Sequence, residues 1–246
     1  MRALVKGNGR QQKVGGLAAF YLAAAFVVAM PYFLVFVKYP SVGDPAQKVA
    51  MLVRYHGSMR VVYLITYVIF GLVLAVLALS LYTRLRDGAP ILAQAATAVG
   101  LTWAVMLVAS GMIFNAGVAA VLGLHGASPA QAVSVWQAIE PVAEGLGGSG
   151  GELLGGLWVL LVSVAALRTV RLPKVLNWLG LAVGAAGVLS VAPALSGLAY
   201  GFGLLEIVWF VGLGVVMLRA SSRAAAPAWT ADTAEQGRGY LPSTSA

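Results

Sequence analysis

The chain has 246 residues, 60% of them hydrophobic and only 10% charged, and it contains no cysteine. A water-soluble domain needs about 25% charged residues, so lipid must cover most of this surface; the missing thiols exclude disulfides, iron–sulfur clusters and cysteine nucleophiles. The net charge of +8 does not indicate nucleic acid, because the bases flank apolar runs, where anionic headgroups are the simpler partner.

A helix crosses a hydrocarbon core of ~30 Å with about 20 apolar residues. Arg2, Lys6, Arg10 and Lys13 precede the first such run, 14–37. It outlasts the ~7–15 residues of a signal-peptide core and no small-residue cleavage site follows, so an uncleaved first span is expected. A loop with Lys38, Lys48, Arg54, His56 and Arg60 leads to a second span, 61–81, and the basic turn of Arg84 and Arg86 leads to a third, 91–114. The next loop has no base before Glu152. Within it, 129–144 has helix-forming composition, with Ser128 as N-cap before Pro129. Trp136 is expected at headgroup level, and Pro141 should end or kink the helix.

The fourth span, 145–167, is strong only from Leu153, because 145–151 is nearly all glycine. The fifth and sixth, 175–199 and 201–218, meet at a boundary blurred by Pro193, Ser196 and Gly197. The predicted organisation is a basic N-terminus (1–13), an all-α domain of six transmembrane helices (14–218) and a polar, disordered tail (219–246). Lys and Arg concentrate in cytoplasmic loops. With the N-terminus inside, twelve of the sixteen bases fall on the inner side and four, all in the first outer loop, outside. Both termini are therefore expected in the cytoplasm.

The run GGELLGGLWVLLVSVAALRTVRLPKVLNWLG combines a glycine-rich start, a GLW turn, an aliphatic span, a basic linker ending in LP and a W-L-G restart. With GGLAAFYLAAAF in the first span and LALSLYTRLR at the end of the second, it resembles a family of bacterial integral membrane proteins, domain of unknown function 4386. The likeness covers residues 14–218. It implies a six-helix protein of the bacterial cytoplasmic membrane and brings no catalytic or binding residues with it.

Function must then be sought in polar residues at membrane depth, where a carboxylate is a functional-site hypothesis by default. Counting from Arg219, Glu206 sits roughly 20 Å up a ~30 Å core; Glu152, counted from Arg168, sits at about 24 Å. Tyr63, Tyr67 and Asn115 also fall in the outer half, which suggests an outward-facing polar cavity with Glu206 as its deepest ligand or proton carrier. The competing reading places the tyrosines in an aromatic belt and has Glu206 protonated or hydrogen-bonded to a neighbouring helix. The outer loops complement each other in charge: Lys48, Arg54 and Arg60 on the first, Glu140 and Glu144 on the second. Ion pairs between them would dock the loops; the alternative is that the basic loop attracts an anionic substrate or lipid headgroup.

His56 and His125 are the only histidines and show no metal-ligand spacing, so neither a metal nor a cofactor is expected. Glycines four apart, such as Gly180 and Gly184, serve close helix packing. The sequence supports three readings in descending order. The first is a membrane protein that binds or transports a small molecule or lipid; the second, an accessory subunit for another membrane protein. The third, a lipid-active enzyme, lacks a nucleophile.

Overall fold

In the computed structural model, residues 2–147 and 152–225 are described, and all of their regular structure is helical. Eight α-helices follow one another: α1 (Arg2–Pro31), α2 (Pro45–Tyr63), α3 (Phe70–Leu85), α4 (Pro90–His125), α5 (Pro129–Gly147), α6 (Leu153–Thr169), α7 (Lys174–Leu189) and α8 (Leu198–Ala225). Two wide π-helical turns interrupt the pattern. Tyr32–Val37 extends α1, and Leu64–Ile69 joins α2 to α3. The tail expected from 219 begins as a continuation of α8 to Ala225, and the remainder lies outside the described residues.

By length and composition, four stretches among the described residues are apolar enough to cross a membrane: Gly9–Val37, Pro45–Leu85, Pro90–His125 and Leu198–Ser222. Helices α6 and α7 are apolar but shorter, at 17 and 16 residues, or ~25 Å each against a ~30 Å core. The fifth expected span ends early because Ser190 closes α7 and a 3-10 turn, Pro193–Leu195, intervenes before α8. Large apolar side chains face outward as well as inward: Leu17, Val27, Leu72, Val105, Leu204 and Val208 are all exposed. A helix apolar all round belongs in lipid or a large core.

Helices α1 and α8 run antiparallel, since Gly15 packs against Met217 while Gly203 faces Met30 and Phe26. Both described ends of the chain therefore lie at one end of the bundle. The same end holds the turns around Arg84 and Arg171: Arg84 donates to the Arg171 carbonyl (2.8 Å) and to Gln12 Oε1 (2.7 Å). We call this the basic end. Between α6 and α7 the backbones nearly touch. A methyl group at Gly156 would sit 2.6 Å from the Val188 amide nitrogen and 2.7 Å from the Gly184 carbonyl oxygen. Above and below this contact, Phe26, Phe70, Trp103, Trp158, Trp209 and Phe210 form a chain of edge-on and tilted ring contacts 5.5–6.5 Å apart.

The opposite end departs most from expectation. The first outer loop is largely helical: Asp44 Oδ2 accepts the Gln47 amide proton at 3.1 Å and Pro45 opens α2. Val49, Leu52 and Met59 give that helix its buried face. Helix α4 runs 36 residues, ~54 Å long, so it outreaches any bilayer core and carries α5 against its far half. Pro141 does not end α5, which continues to Gly147. Pro141 and Gln137 both lie on the exposed face, so the carbonyl that loses its proline-blocked partner can still meet solvent. Trp136, expected at headgroup level, packs inside the bundle. It is completely buried, edge-on to Phe114 at 5.4 Å, because Ala132, Trp136, Ala143 and Gly147 form the face with which α5 docks.

Candidate functional site

Three segments approach the far end without closing it: the upper part of α1, the 39–48 connection and the beginning of α8. They leave a cleft of about 630 Å³. Phe26, Met30 and Phe33 line it from α1; Phe202 and Gly203 from α8. Its charged lining residues are Lys48, Glu144 and Glu152. A smaller cavity of about 90 Å³ adjoins it, sharing Phe26, Ala29 and Glu152 and reaching inward to Thr66, Tyr67, Phe70 and Trp103. Both π-helical turns border these spaces, Phe33 and Leu34 on the larger and Thr66 and Tyr67 on the smaller. Such turns recur at functional sites because they redirect side chains within an otherwise regular helix.

One wall is fixed by a chain of hydrogen bonds. Lys38, in the left-handed conformation (φ 57°), turns the backbone out of α1 and brings Tyr39 inward. The Trp136 indole N–H donates to the Tyr39 hydroxyl at 2.8 Å, and that hydroxyl donates to Glu140 Oε1 at 2.7 Å. Lys48 Nζ donates to the same oxygen at 2.6 Å, completing a mostly buried ion pair, and lies 5.2 Å from the Tyr39 ring centre. Trp136 and Glu140, four apart on α5, share the face that makes this possible. Burial, reinforced by the Glu140 hydrogen bond and charge, pushes the Tyr39 pKa far above its ordinary value. Tyr39 is therefore a permanent donor.

Glu144 sits one turn beyond Glu140 and makes no hydrogen bond or ion pair among the described residues. Burial first, and the Glu140 charge second, raise its pKa; Lys48 offsets part of that. Glu152 precedes α6, where its backbone N–H donates to Ser190 Oγ at 3.0 Å. Its carboxyl group has no partner among the described residues.

Glu206 lies beneath the cleft. It is completely buried, and neither carboxyl oxygen has a hydrogen-bond partner among the described residues. Phe202 and Gly203, a turn earlier on α8, line the cleft floor, while Trp209 and Phe210, a turn later, are buried in the aromatic chain. Among the described residues, the one other ionisable group whose charge reaches it is Glu152. The bond to a neighbouring helix allowed for from sequence is not made among the described residues. A carboxyl group kept in this position is costly if charged.

Lys48, Glu144 and Glu152 thus come together in one cleft, with Tyr67 beside them and Glu206 below. Tyr63 is stacked between Tyr67 (4.7 Å) and Phe114 (3.4 Å) in a half-buried pile of rings. Asn115 is on α4, its Oδ1 buried without a hydrogen-bond partner among the described residues. Neither Tyr63 nor Asn115 lines the two spaces. Arg54 and Arg60 are exposed and make no ion pair among the described residues; Arg54 lies over the Tyr55 ring instead. Among the described residues no three His, Asp or Glu side chains are grouped to hold a metal. Tyr39 and Trp136 are the residues that sequence reasoning passed over. The Trp136–Glu140 spacing carried a signal, but Tyr39 offered none.

Apolar helices of this length and number define a multi-pass, all-helical membrane protein. The chain belongs to the family described as domain of unknown function (DUF4386), whose model matches residues 17–219, in agreement with the resemblance in its glycine-rich and basic-turn motifs. Searches of curated proteins and of solved structures found no match.

Proposed function

We propose that this protein crosses the bacterial cytoplasmic membrane six times, with both termini in the cytoplasm, and binds or transports a small molecule or lipid through the cleft at its outer end. Helices α1, α2–α3, α4, α6, α7 and α8 supply the six crossings. The bias of basic residues toward the end that holds the chain termini supports the orientation. One observation carries the functional reading: a 630 Å³ cleft is lined by Phe202 and Gly203, one turn of α8 before a fully buried carboxyl group that has no partner among the described residues. Ligand sites are clefts of roughly 300–1,000 Å³ with apolar walls and a few placed polar groups, and an unpaired intramembrane carboxyl group marks a pathway or relay.

Native mass spectrometry of the protein released from nanodiscs tests this directly. Wild type should carry a stoichiometric small molecule or lipid that Glu206→Gln loses while remaining folded. Bare protein in both samples would refute the reading. A co-purifying polypeptide would instead favour an assembly role.

A further inference from the structure

The charge around the cleft is unbalanced, and the imbalance selects a class of ligand. Among the described residues Lys48 is the single base lining it, and its ammonium group is already held by Glu140 at 2.6 Å. Lys38, Arg54 and Arg60 do not line it: all three are exposed, and Arg54 rests on Tyr55. Glu144 and Glu152 line the same space without an ion pair among the described residues, and Glu206 lies within range of the Glu152 charge. The walls between these carboxyl groups are aromatic, with Phe26, Phe33, Tyr39, Tyr200 and Phe202 all on the cleft.

We infer that the cleft takes a hydrophobic organic cation, a protonated or quaternary amine or phosphonium carried on an apolar body. This rests on the cleft being a ligand site at all. A cation satisfies both halves of the lining, because carboxylates pair with its charge and ring faces attract it through their quadrupoles. An anion would find carboxyl groups that cannot pair with it in either protonation state, and its charge would stay unbalanced at low dielectric. A neutral body would exclude water from Glu144 and Glu152 and give them nothing in return. A bare metal ion fits poorly: hard cations want six to eight oxygen ligands, and no three candidate ligands gather among the described residues.

The test is a binding titration on the full chain in nanodiscs, with empty nanodiscs subtracted for partitioning. Three probes of similar shape are compared: tetraphenylphosphonium, tetraphenylborate and the neutral triphenylphosphine oxide. The cation should bind saturably at one site per chain, and the other two should not. Glu152→Gln should weaken it at least about tenfold, while Glu152→Asp should recover most of the affinity. Size-exclusion profiles identify any variant that has failed to fold, and the Asp variant then decides.

Saturable binding of the borate or the oxide, unaffected by Glu152→Gln and abolished by Gly203→Phe at the cleft floor, would overturn the charge selection and leave the cleft standing. A neutral or anionic natural ligand recovered by mass spectrometry would overturn it equally. No saturable binding by any probe, together with bare protein in the mass spectrum, would remove both readings.

Discussion

The two ends of the bundle are held together in different ways. At the basic end, Arg84 reaches the Arg171 carbonyl and the Gln12 side chain, so α1, α3 and the α6–α7 turn are joined largely through a main-chain acceptor. Main-chain oxygens are present whatever the sequence, and such a joint tolerates change. At the far end the joint is Trp136, Tyr39, Glu140 and Lys48, a sequence of side chains each of which partners the next. Removing one of them leaves another buried and unsatisfied. The 630 Å³ cleft lies at the second end. Stability depends most on individual side chains where the chain also keeps open space and unpaired carboxyl groups.

The most severe way to break this comparison is to separate the helices that link the ends. Gly156→Ala drives a methyl group into the backbone of α7, which has no flexible side chain to yield. A loss of about 3 kcal/mol or outright failure to fold is expected, seen as a lowered melting temperature in detergent. Unchanged melting would mean that α6 and α7 are not in contact. A smaller effect sharpens the contrast. Tyr39→Phe orphans the Trp136 N–H and one bond to Glu140, and should cost about 2 kcal/mol. Arg84 is half-buried, but its carbonyl acceptor belongs to the exposed Arg171, which water can reach, so Arg84→Ala should cost only about 1 kcal/mol. Melts of the two variants side by side decide the matter, and the reverse order would overturn the distinction between the ends.

How far each end is legible from sequence follows the same division. The basic end is readable because Arg84, Arg86, Arg168, Arg171 and Lys174 sit beside apolar runs, and hydropathy with charge locates such turns. Glu206 and Glu152 stand out because carboxyl groups are rare in apolar runs. The far end reads as loop where α2 lies. Its residues are too polar for a span, and the signal is a finer one: Asp44–Pro45 as a helix start, followed by apolar residues at Val49, Leu52 and Met59. The partnership of Tyr39 with Trp136 and Glu140 joins positions about a hundred residues apart. No local pattern contains it. Helix rotation is equally hidden, since outward faces are as apolar as inward ones, and only packing places Glu206 inside.

If Glu206 is kept for a ligand, it is kept at the expense of stability. Glu206→Met fills a similar volume without a group that needs a partner. It should raise stability by about 1 kcal/mol, the usual sign when a functional site is made inert. Melting of the variant should move upward while its binding of tetraphenylphosphonium weakens. A destabilised variant would show that Glu206 has a structural partner, and the contrast between a satisfied far-end wall and an unsatisfied floor would fail.

The smallest effect concerns Glu144, on the wall itself. Burial and the neighbouring Glu140 charge hold its pKa above that of the unfolded chain, with Lys48 opposing them, so the folded protein keeps a proton that the unfolded chain releases. Below about pH 4 both states are protonated and this contribution is fully present. As pH rises through the folded-state pKa of Glu144 the stability is lost, because ionisation is easier in the unfolded chain. Glu144→Gln has no such loss. The melting difference between variant and wild type should therefore grow in the variant's favour from about pH 4 to about pH 7, other titrating groups cancelling in the difference. Saturating tetraphenylphosphonium should shrink that difference, since a cation in the cleft supplies the charge that Glu144 lacks. A difference independent of pH would place the Glu144 carboxylate in solvent, and one that ignores the cation would remove Glu144 from the binding wall.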